Sequence, residues 1–211
     1  MLPPRRSSVS MRPPAPPPAR RTPRARVNLP ASAAAALLAL FCSAPALLRA
    51  TTLARMDLPQ LARESTFIAR ARCVRVASRA GSGMVWTFST FVVTEAWKGN
   101  PPSPFIVRMP GGKAAGLRVS VEGAPRFAVG EDVVLFLSGP AAPTTTILSW
   151  AQGTFRIRRN PRAGAEEAVQ NTAGLRVFDS RSGAWSPGER RQGTLAALRA
   201  RVAAALQDAA R

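Results

Sequence analysis

The loop MPGGKAAG, from Met109 to Gly116, contains the residue types best suited to bind an anion. Gly111 and Gly112 have no side chains to block their backbone N–H groups, and Lys113 adds a positive charge beside them. The loop lacks the spacing and the terminal Ser or Thr of a phosphate-binding P-loop. Two interpretations therefore stay open, a ligand-facing loop and a plain hairpin connection.

Two arginines of a predicted strand form the second candidate for ligand contact. In TFIARARCVRVASR, residues 66–79, the period-two alternation places Arg70 and Arg72 on one face, with Arg75 as a candidate third member. Aromatic side chains follow in the next predicted strand at Trp86, Phe88 and Phe91. This combination is typical of surfaces on which nucleic-acid bases stack, although it is more often a solvated sheet face above core aromatics.

Residues for catalysis or metal binding are scarce in this chain. It has no histidine, which removes the commonest neutral-pH base and metal ligand. Cys42 lies in an apolar N-terminal segment, so Cys73 is the only cysteine left once that segment is removed, and no intrachain disulfide can then form. We interpret Cys73 as a small buried hydrophobe. The sequence predicts no catalytic residue, no metal site and no cofactor.

Hydrolysis by carboxylates alone stays open as the alternative, because a glycosidase-type reaction needs only two acids. The ordered candidates are Glu64, Glu95, Glu122, Glu131 and Asp132. No spacing in the sequence pairs any two of them, and the chain has 11 acidic residues against 30 basic ones. A cell-envelope hydrolase would therefore require two of these acids to meet in one cleft.

The stretch GAPRFAVGEDVVLFL, which ends at Leu137, combines turn residues with a dense apolar run. Gly123 and Gly130 readily adopt positive φ, and Pro125 fits a turn between them. Phe127 lies between the two turn-forming pieces, where an aromatic ring anchors a loop to a core. We interpret these four residues as a structural turn that leads into a buried strand rather than as a functional loop.

The remaining patterns predict the elements that position these residues. Strands are predicted at Thr66–Arg79, Met84–Trp97, Ser103–Met109, Gly116–Glu122 and Asp132–Ser138. The segments TTTILSW and GTFRIRR, split by residues 151–153, predict a further hairpin. Residues 161–193 are predicted to be a loop-rich extension with one strand at Gly174–Phe178.

Helices are predicted at both ends of this β region. Asp57 is a suitable N-cap for a short helix with an early proline, and Thr194 is a suitable N-cap for a C-terminal amphipathic helix over residues 194–211. The predicted fold is mainly β: a small antiparallel OB-like β-barrel over residues 51–160 with a short N-terminal helix and a C-terminal helix.

The N-terminal 50 residues indicate export. Residues 1–30 are rich in proline and arginine and are predicted to be disordered. Ala31 to Leu48 is an apolar run of 18 residues without a charge, and residues 31–50 are predicted to be the apolar region and cleavage zone of a signal peptide, cleaved after Ala46 or Ala50. The predicted location is periplasmic or extracellular, and an uncleaved segment that anchors the protein in the membrane is the alternative. Translation from Met1 or from Met11 stays open.

Several motifs together resemble a group of exported bacterial proteins of unknown function. The matching pieces are Val76 and Ser78, Lys98-Gly99, Pro110 to Gly112, and Gly123 to Leu137, within a region from Asp57 to Arg158. The strand order is more distantly similar to netrin-type modules, which include the tissue inhibitors of metalloproteinases. That resemblance implies an OB-like barrel with a binding role.

The chain departs from the metalloproteinase inhibitors where their mechanism requires a cysteine. Those proteins use a mature N-terminal cysteine and are stapled by disulfides, whereas neither predicted mature N-terminus here is a cysteine and Cys73 has no partner. We therefore expect an exported, non-catalytic binding or interaction module whose partner is a protein or an envelope component. With a formal net charge of +19, a polyanion is the third possibility. Export argues against nucleic acid as the partner in vivo, and membrane contact is expected only through an uncleaved N-terminal segment.

Overall fold

A computed structural model describes residues 52–81, 83–140, 144–161, 164–209 and 211. The predicted disordered leader and signal peptide therefore lie outside the described residues. The elements in chain order are β1 (Thr52–Ala54), α1 (Leu58–Glu64), β2 (Phe67–Gly81), β3 (Met84–Lys98), β4 (Phe105–Pro110), β5 (Gly112–Ala114), β6 (Leu117–Val119), β7 (Asp132–Ser138), β8 (Thr146–Ile147), β9 (Thr154–Arg159), β10 (Glu166–Asn171), β11 (Arg176–Asp179), β12 (Ala184–Pro187), β13 (Arg190–Thr194) and α2 (Leu195–Ala209).

The main sheet confirms the prediction of a mainly β, antiparallel fold. Its strands follow the order β13-β10-β9-β7-β2-β3-β4, with β8 beside β7, and every pairing in it is antiparallel. Two smaller sheets, β1-β11-β12 and β5-β6, accompany it. Within the described residues β13 and β4 end this order and do not pair with each other, and β4 forms a parallel bridge from Val107 to Thr145, the residue before β8. The strand pairings do not form a closed barrel among these residues, so the OB-like barrel stays a prediction.

The main sheet separates two apolar clusters. Strand β7 supplies side chains to both, because Val134 and Phe136 alternate with Val133, Leu135 and Leu137. The first cluster also contains the buried faces of α1 and α2, and the second contains the rings of Phe91 and Phe105, which stack, and of Phe127, which meets Phe91 edge-on. Neither described helix has the length and apolar character needed to cross a membrane.

Both predicted helices are present, and their predicted caps are made. The Asp57 carboxylate accepts a hydrogen bond from the backbone N–H of Gln60 at 2.8 Å, and the Thr194 hydroxyl accepts one from Ala197 N–H at 3.1 Å. These bonds satisfy amides that the first turn of a helix leaves unpaired. In α2, Leu198 is buried against the first cluster with its helical neighbours, as its spacing predicts.

The predicted hairpin between TTTILSW and GTFRIRR is wrong. Strands β8 and β9 are both antiparallel to β7 and lie one after the other along the same side of it, so they run in the same direction. The connection between them is a compact excursion in which Ser149 and Trp150 have φ near +50°. It does not reverse the chain, because β7 pairs with the chain on both sides of the excursion.

The segment predicted to be loop-rich, residues 161–193, contains four strands. β10 and β13 extend the main sheet beyond β9, and β11 and β12 pair with each other in the small sheet with β1. Strand β13 reads RRQGT and is exposed throughout, so it carries no alternating apolar signal. Its pairing with β10 is set by hydrogen bonds of the backbone rather than by burial of its side chains.

Candidate functional site

One half of one sheet face stays uncovered by the helices, and it carries an unusual set of side chains. We call it the arginine–aromatic face and define it as the outward residues of β2, β3 and β4: Arg72, Arg75, Ala77, Arg79, Trp86, Phe88, Thr90, Val92, Ile106 and Arg108. Its arginines are exposed, and the two aromatic rings are partly buried.

A bulge in β2 places the arginines of this face together. Cys73 pairs with Phe91 and Arg75 pairs with Thr90, so Val74 has no partner in the register. This extra residue shifts the alternation by one position. As a result Arg75 and Arg79, which an unbroken strand would turn toward the core with Cys73, point to the same side as Arg72.

The register across the three strands gives the face a regular order. Trp86 lies between Arg79 on β2 and Pro110 on β4, and Phe88 lies between Ala77 and Arg108. Such opposed residues have Cβ atoms about 5 Å apart. The two rings therefore form the middle of the face, with arginines from both neighbouring strands beside them.

The guanidinium groups of Arg79 and Arg108 lie over these rings. Arg108 stacks on Trp86 with its Cζ 4.6 Å from the ring centroid, and Arg79 lies 6.0 Å from the centroid of Phe88. Each arginine thus reaches the ring diagonal to its own register position, so both lean over β3 from opposite sides. Stacking restricts the two side chains and leaves the N–H groups at the guanidinium edge open.

The arginines of the face have no ion-pair partner among the described residues. Asp132 lies opposite Arg72 in the register but pairs with Arg70, and none of the residues that define the face is acidic. A shallow cavity of about 280 Å³ opens between Arg75, Arg79, Phe88, Ile106 and Thr144. The face therefore combines arginines that pair with no described carboxylate and a neighbouring cavity lined in part by apolar side chains.

Arg70 is the first predicted ligand residue, and the structure gives its guanidinium two internal partners. It contacts Asp132 at 2.5 Å and Glu166 at 2.6 Å. The hydrogen bonds to Asp132, and secondly to Glu166, raise the pKa of Arg70, and the Arg70 hydrogen bond lowers the pKa of Glu166. Because the Glu166 pKa is lowered, this stabilisation is complete above its ordinary value of 4.5 and is lost as the pH falls through the lowered pKa. Arg72, two residues on, lies opposite Asp132 in the register but forms no ion pair with any described residue.

We predict opposite consequences for these two neighbouring arginines. Arg70→Met leaves the Asp132 side chain, which is 17% exposed, without its cation, and we expect a loss of about 2 kcal/mol in the free energy of unfolding. Arg72→Met is the matched control, and we expect a change within about 0.5 kcal/mol. Urea denaturation measures both. Equal stability of the two variants would contradict the internal role of Arg70.

The Pro-Gly-Gly loop has a structural explanation. The N–H of Gly111 donates to the Val85 carbonyl at 2.7 Å, and its carbonyl accepts from the Thr87 hydroxyl at 2.6 Å. Gly112 passes so closely over the hydroxyls of Ser78 and Thr87 that a Cβ would lie 2.6 Å from Ser78 Oγ. Lys113 is exposed beyond them. The N–H of Gly111 is thus engaged, and anion binding by the loop stays a prediction.

The turn residues form a well-connected loop. Gly123 and Gly130 have φ of +78° and +89°, and the N–H of Gly130 donates to the Cys73 carbonyl at 2.8 Å. Phe127 is 8% exposed and packs edge-on against Phe91. The loop thereby joins β2 to the start of β7, and Pro125 lies between its two glycines in the chain.

A second loop contact holds the base of this turn. The Glu131 carboxylate accepts from Arg156 Nε at 2.6 Å and from the N–H of Ala128 at 3.1 Å, and Arg156 also donates to the Arg126 carbonyl. Glu131 therefore pairs with a β9 arginine and closes the loop on itself. These contacts make Glu131 part of the loop rather than a free acid.

Two carboxylates, Glu95 and Glu166, do line one open groove of about 710 Å³ between α2 and the sheet. Each is held by an arginine, since Arg199 contacts Glu95 at 2.6 Å and Arg70 contacts Glu166. The lowered pKa of Glu166 keeps it ionised at neutral pH, whereas a general acid needs a raised pKa. This pairing favours a structural role for both acids over proton transfer.

Cys73 is fully buried, and burial raises the pKa of its thiol. A raised pKa lowers the fraction of the nucleophilic thiolate at neutral pH. Among the described residues, no group of three or more His, Cys, Asp or Glu side chains is placed to hold a metal ion.

No family model, curated protein or solved structure matches the chain. Its function is therefore inferred from its own residues. Sequence reasoning selected Arg72, Arg75, Trp86 and Phe88 in one cluster, but it grouped Phe91 with them and missed Arg108. Phe91 is fully buried on the opposite side of the sheet. A signal was present, because in FIVRMP the arginine alternates with the apolar residues of β4.

Proposed function

We propose that this protein is an exported, non-catalytic binding module that takes an anionic component of the cell envelope on its arginine–aromatic face. One observation carries the proposal. Four arginines without ion pairs to any described residue share one open sheet face with two aromatic rings, each of which has an arginine over it. Uncompensated arginines on one surface attract anions and fix planar anionic groups by paired hydrogen bonds.

The contrast with the other half of the same face supports a binding role. There the helices cover the apolar residues, and Arg70 is neutralised by two carboxylates. On the uncovered half the same strands present arginines that pair with no described carboxylate, and Val92 is 40% exposed. Charged and apolar side chains of this half are therefore both open to a partner.

The proposal includes three further points: the protein is exported, its fold is related to the OB barrel, and it is similar to a group of exported bacterial proteins of unknown function. An OB-like barrel is an established way to present a binding face on strands, and the open sheet here presents its face on β2 to β4. Sequencing the N-terminus of the protein recovered from the cell envelope would test export directly. A mature chain that begins near residue 47 or 51 is the expected result.

Binding of a soluble polyanion tests the proposal. Heparin is the probe, and the variant combines Arg75→Gln, Arg79→Gln and Arg108→Gln. We expect its affinity to fall about 100-fold at low salt, the equivalent of about 1 kcal/mol for each arginine. The slope of log affinity against log salt should also become shallower by about two to three.

The control variant removes the same charge elsewhere. Arg118→Gln, Arg158→Gln and Arg201→Gln replace three exposed arginines without ion pairs that lie outside the face. We expect its affinity to stay within a few-fold of the unaltered protein. An equal loss of heparin affinity in both triple variants would mean that binding depends only on net charge, and the face would then have no special role.

A further inference from the structure

We propose that Arg79 and Arg108 act together as a clamp for one phosphate monoester of the anionic partner. This inference rests on the proposed function and names the chemical group that the face recognises. The two side chains come from β2 and β4, on either side of β3, and both lean over it onto the rings of Phe88 and Trp86.

The reach of the two side chains allows them to meet on one group. Strands are about 4.8 Å apart, so β2 and β4 are separated by about 10 Å across β3. Both guanidinium groups have already moved inward from these strands, because each lies over a ring of the middle strand. A single anion above β3 can therefore contact both.

The number of donors favours phosphate over carboxylate. Each guanidinium offers a planar fork of N–H groups that pairs with two oxygens. A carboxylate has two oxygens and one charge, which one fork satisfies. A phosphate monoester has three terminal oxygens and a charge of about −1.5 to −2 at neutral pH. Two guanidinium groups on opposite sides can therefore both bond to one phosphate monoester, whereas a carboxylate needs only one of them.

The stacking geometry also favours phosphate over nucleobases. A guanidinium group already lies over each ring, 4.6 Å from the Trp86 centroid and 6.0 Å from the Phe88 centroid, so a base that stacked on that surface of Trp86 or Phe88 would compete with the arginine. The cavity beside the clamp, lined by Ala77, Thr90 and Ile106, is open instead to the carbon skeleton that carries the phosphate.

Small ligands test the clamp without the complication of a polymer. Phenyl phosphate, phenyl sulfate and benzoate share one ring and differ in the anion. At constant ionic strength and pH 7.5, we expect phenyl phosphate to bind at least about tenfold more tightly than benzoate. The arginine side-chain N–H signals in NMR spectra report both the affinity and the number of arginines involved.

A charge-preserving variant separates the clamp from simple attraction. Arg79→Lys with Arg108→Lys keeps both charges but removes the planar forks. We expect it to lose about tenfold in affinity for phenyl phosphate and to lose the preference over benzoate. Arg118→Lys with Arg158→Lys is the matched control, because those exposed arginines lie outside the face and in no ion pair among the described residues, and it should keep both the affinity and the preference.

The outcomes distinguish the two proposals. Equal affinity for phenyl phosphate and benzoate, or equal losses in the two lysine variants, overturns the clamp. The proposed function still stands if heparin binding depends on the face, and both proposals fail if it does not. Tighter binding of single-stranded DNA that changes with base composition would replace the phosphate monoester by a nucleic acid and would also overturn the clamp.

Discussion

Gly153→Ala is expected to lower the free energy of unfolding by about 3 to 5 kcal/mol, the largest effect of any single change considered. Gly153 ends the excursion between β8 and β9. A Cβ at this position would lie well inside van der Waals contact with the Leu148 carbonyl oxygen and 3.2 Å from Ile147 Cγ2. The nearest atom belongs to the backbone, so no side-chain rotation relieves the overlap.

The surroundings of Gly153 prevent the backbone from moving away. Its carbonyl accepts from the N–H of Phe136 in β7 at 3.0 Å, and its own N–H donates to the Trp150 carbonyl at 3.1 Å. A shift of the chain would break a contact with the central strand. For a domain of this size a loss of 3 kcal/mol lowers Tm by about 6 to 12 °C, which calorimetry or circular dichroism measures.

Gly193 provides the matched control for this change. It also lies in the sheet, in β13, but a Cβ there meets no atom within 4 Å. We expect Gly193→Ala to change stability by less than about 0.5 kcal/mol. If Gly153→Ala proved as stable as Gly193→Ala, the close approach of the chain at the excursion would be contradicted.

Lys98→Met is expected to cost about 2 kcal/mol. The Lys98 ammonium lies at the C-terminal end of α1 and donates to the carbonyls of Ala62, Arg63 and Ser65 at 2.6 to 2.8 Å. Methionine keeps the length of the side chain but leaves the partly buried Ala62 and Ser65 carbonyls without a donor, at about 1 kcal/mol or more each, whereas water can reach the exposed Arg63 carbonyl. Burial lowers the pKa of Lys98, whereas the three carbonyls favour its charged form.

The only other lysine of the chain is the natural control. Lys113 is exposed in β5, so Lys113→Met removes the same charge without removing a cap. We expect a change within about 0.5 kcal/mol, measured by the same denaturation curves. Equal losses in the two variants would show that the overall charge, rather than the contacts with α1, accounts for the effect of Lys98.

The elements that sequence reasoning located correctly are those with local signals. Asp57 and Thr194 are caps, the β2–β3 hairpin alternates around a glycine turn, and β7 is a continuous apolar run. Each of these signals depends on neighbours in the chain. Strand β13 is exposed throughout and leaves no alternating signal, so it was missed. The segment that contains β8 was paired wrongly because two residues of β8 pair with β7, and this choice of partner over β9 leaves no trace in composition.

The candidate site was predictable only in part for a comparable reason. The alternation of side chains along β2 places Arg70 and Arg72 on one face. The bulge at Val74 depends on how β2 pairs with β3, so the sequence of β2 alone does not reveal it. Arg70 was a reasonable candidate until its two carboxylate partners, 62 and 96 residues away, were known. The Lys-Gly and Pro-Gly-Gly motifs mark positions of close backbone contact, so in this protein their spacing has a structural reason.

The parallel pairing of β1 with β11 constrains the order in which the protein can assemble. Leu53 lies beside Val177, so the first strand of the described chain bonds to a strand near its far end. A chain that leaves the ribosome or a membrane channel from its N-terminus presents β1 long before residues 176–179 have followed. During that interval β1 has no partner in its sheet. The residues next to the predicted cleavage zone therefore gain their partner strand only after residues 176–179 are present.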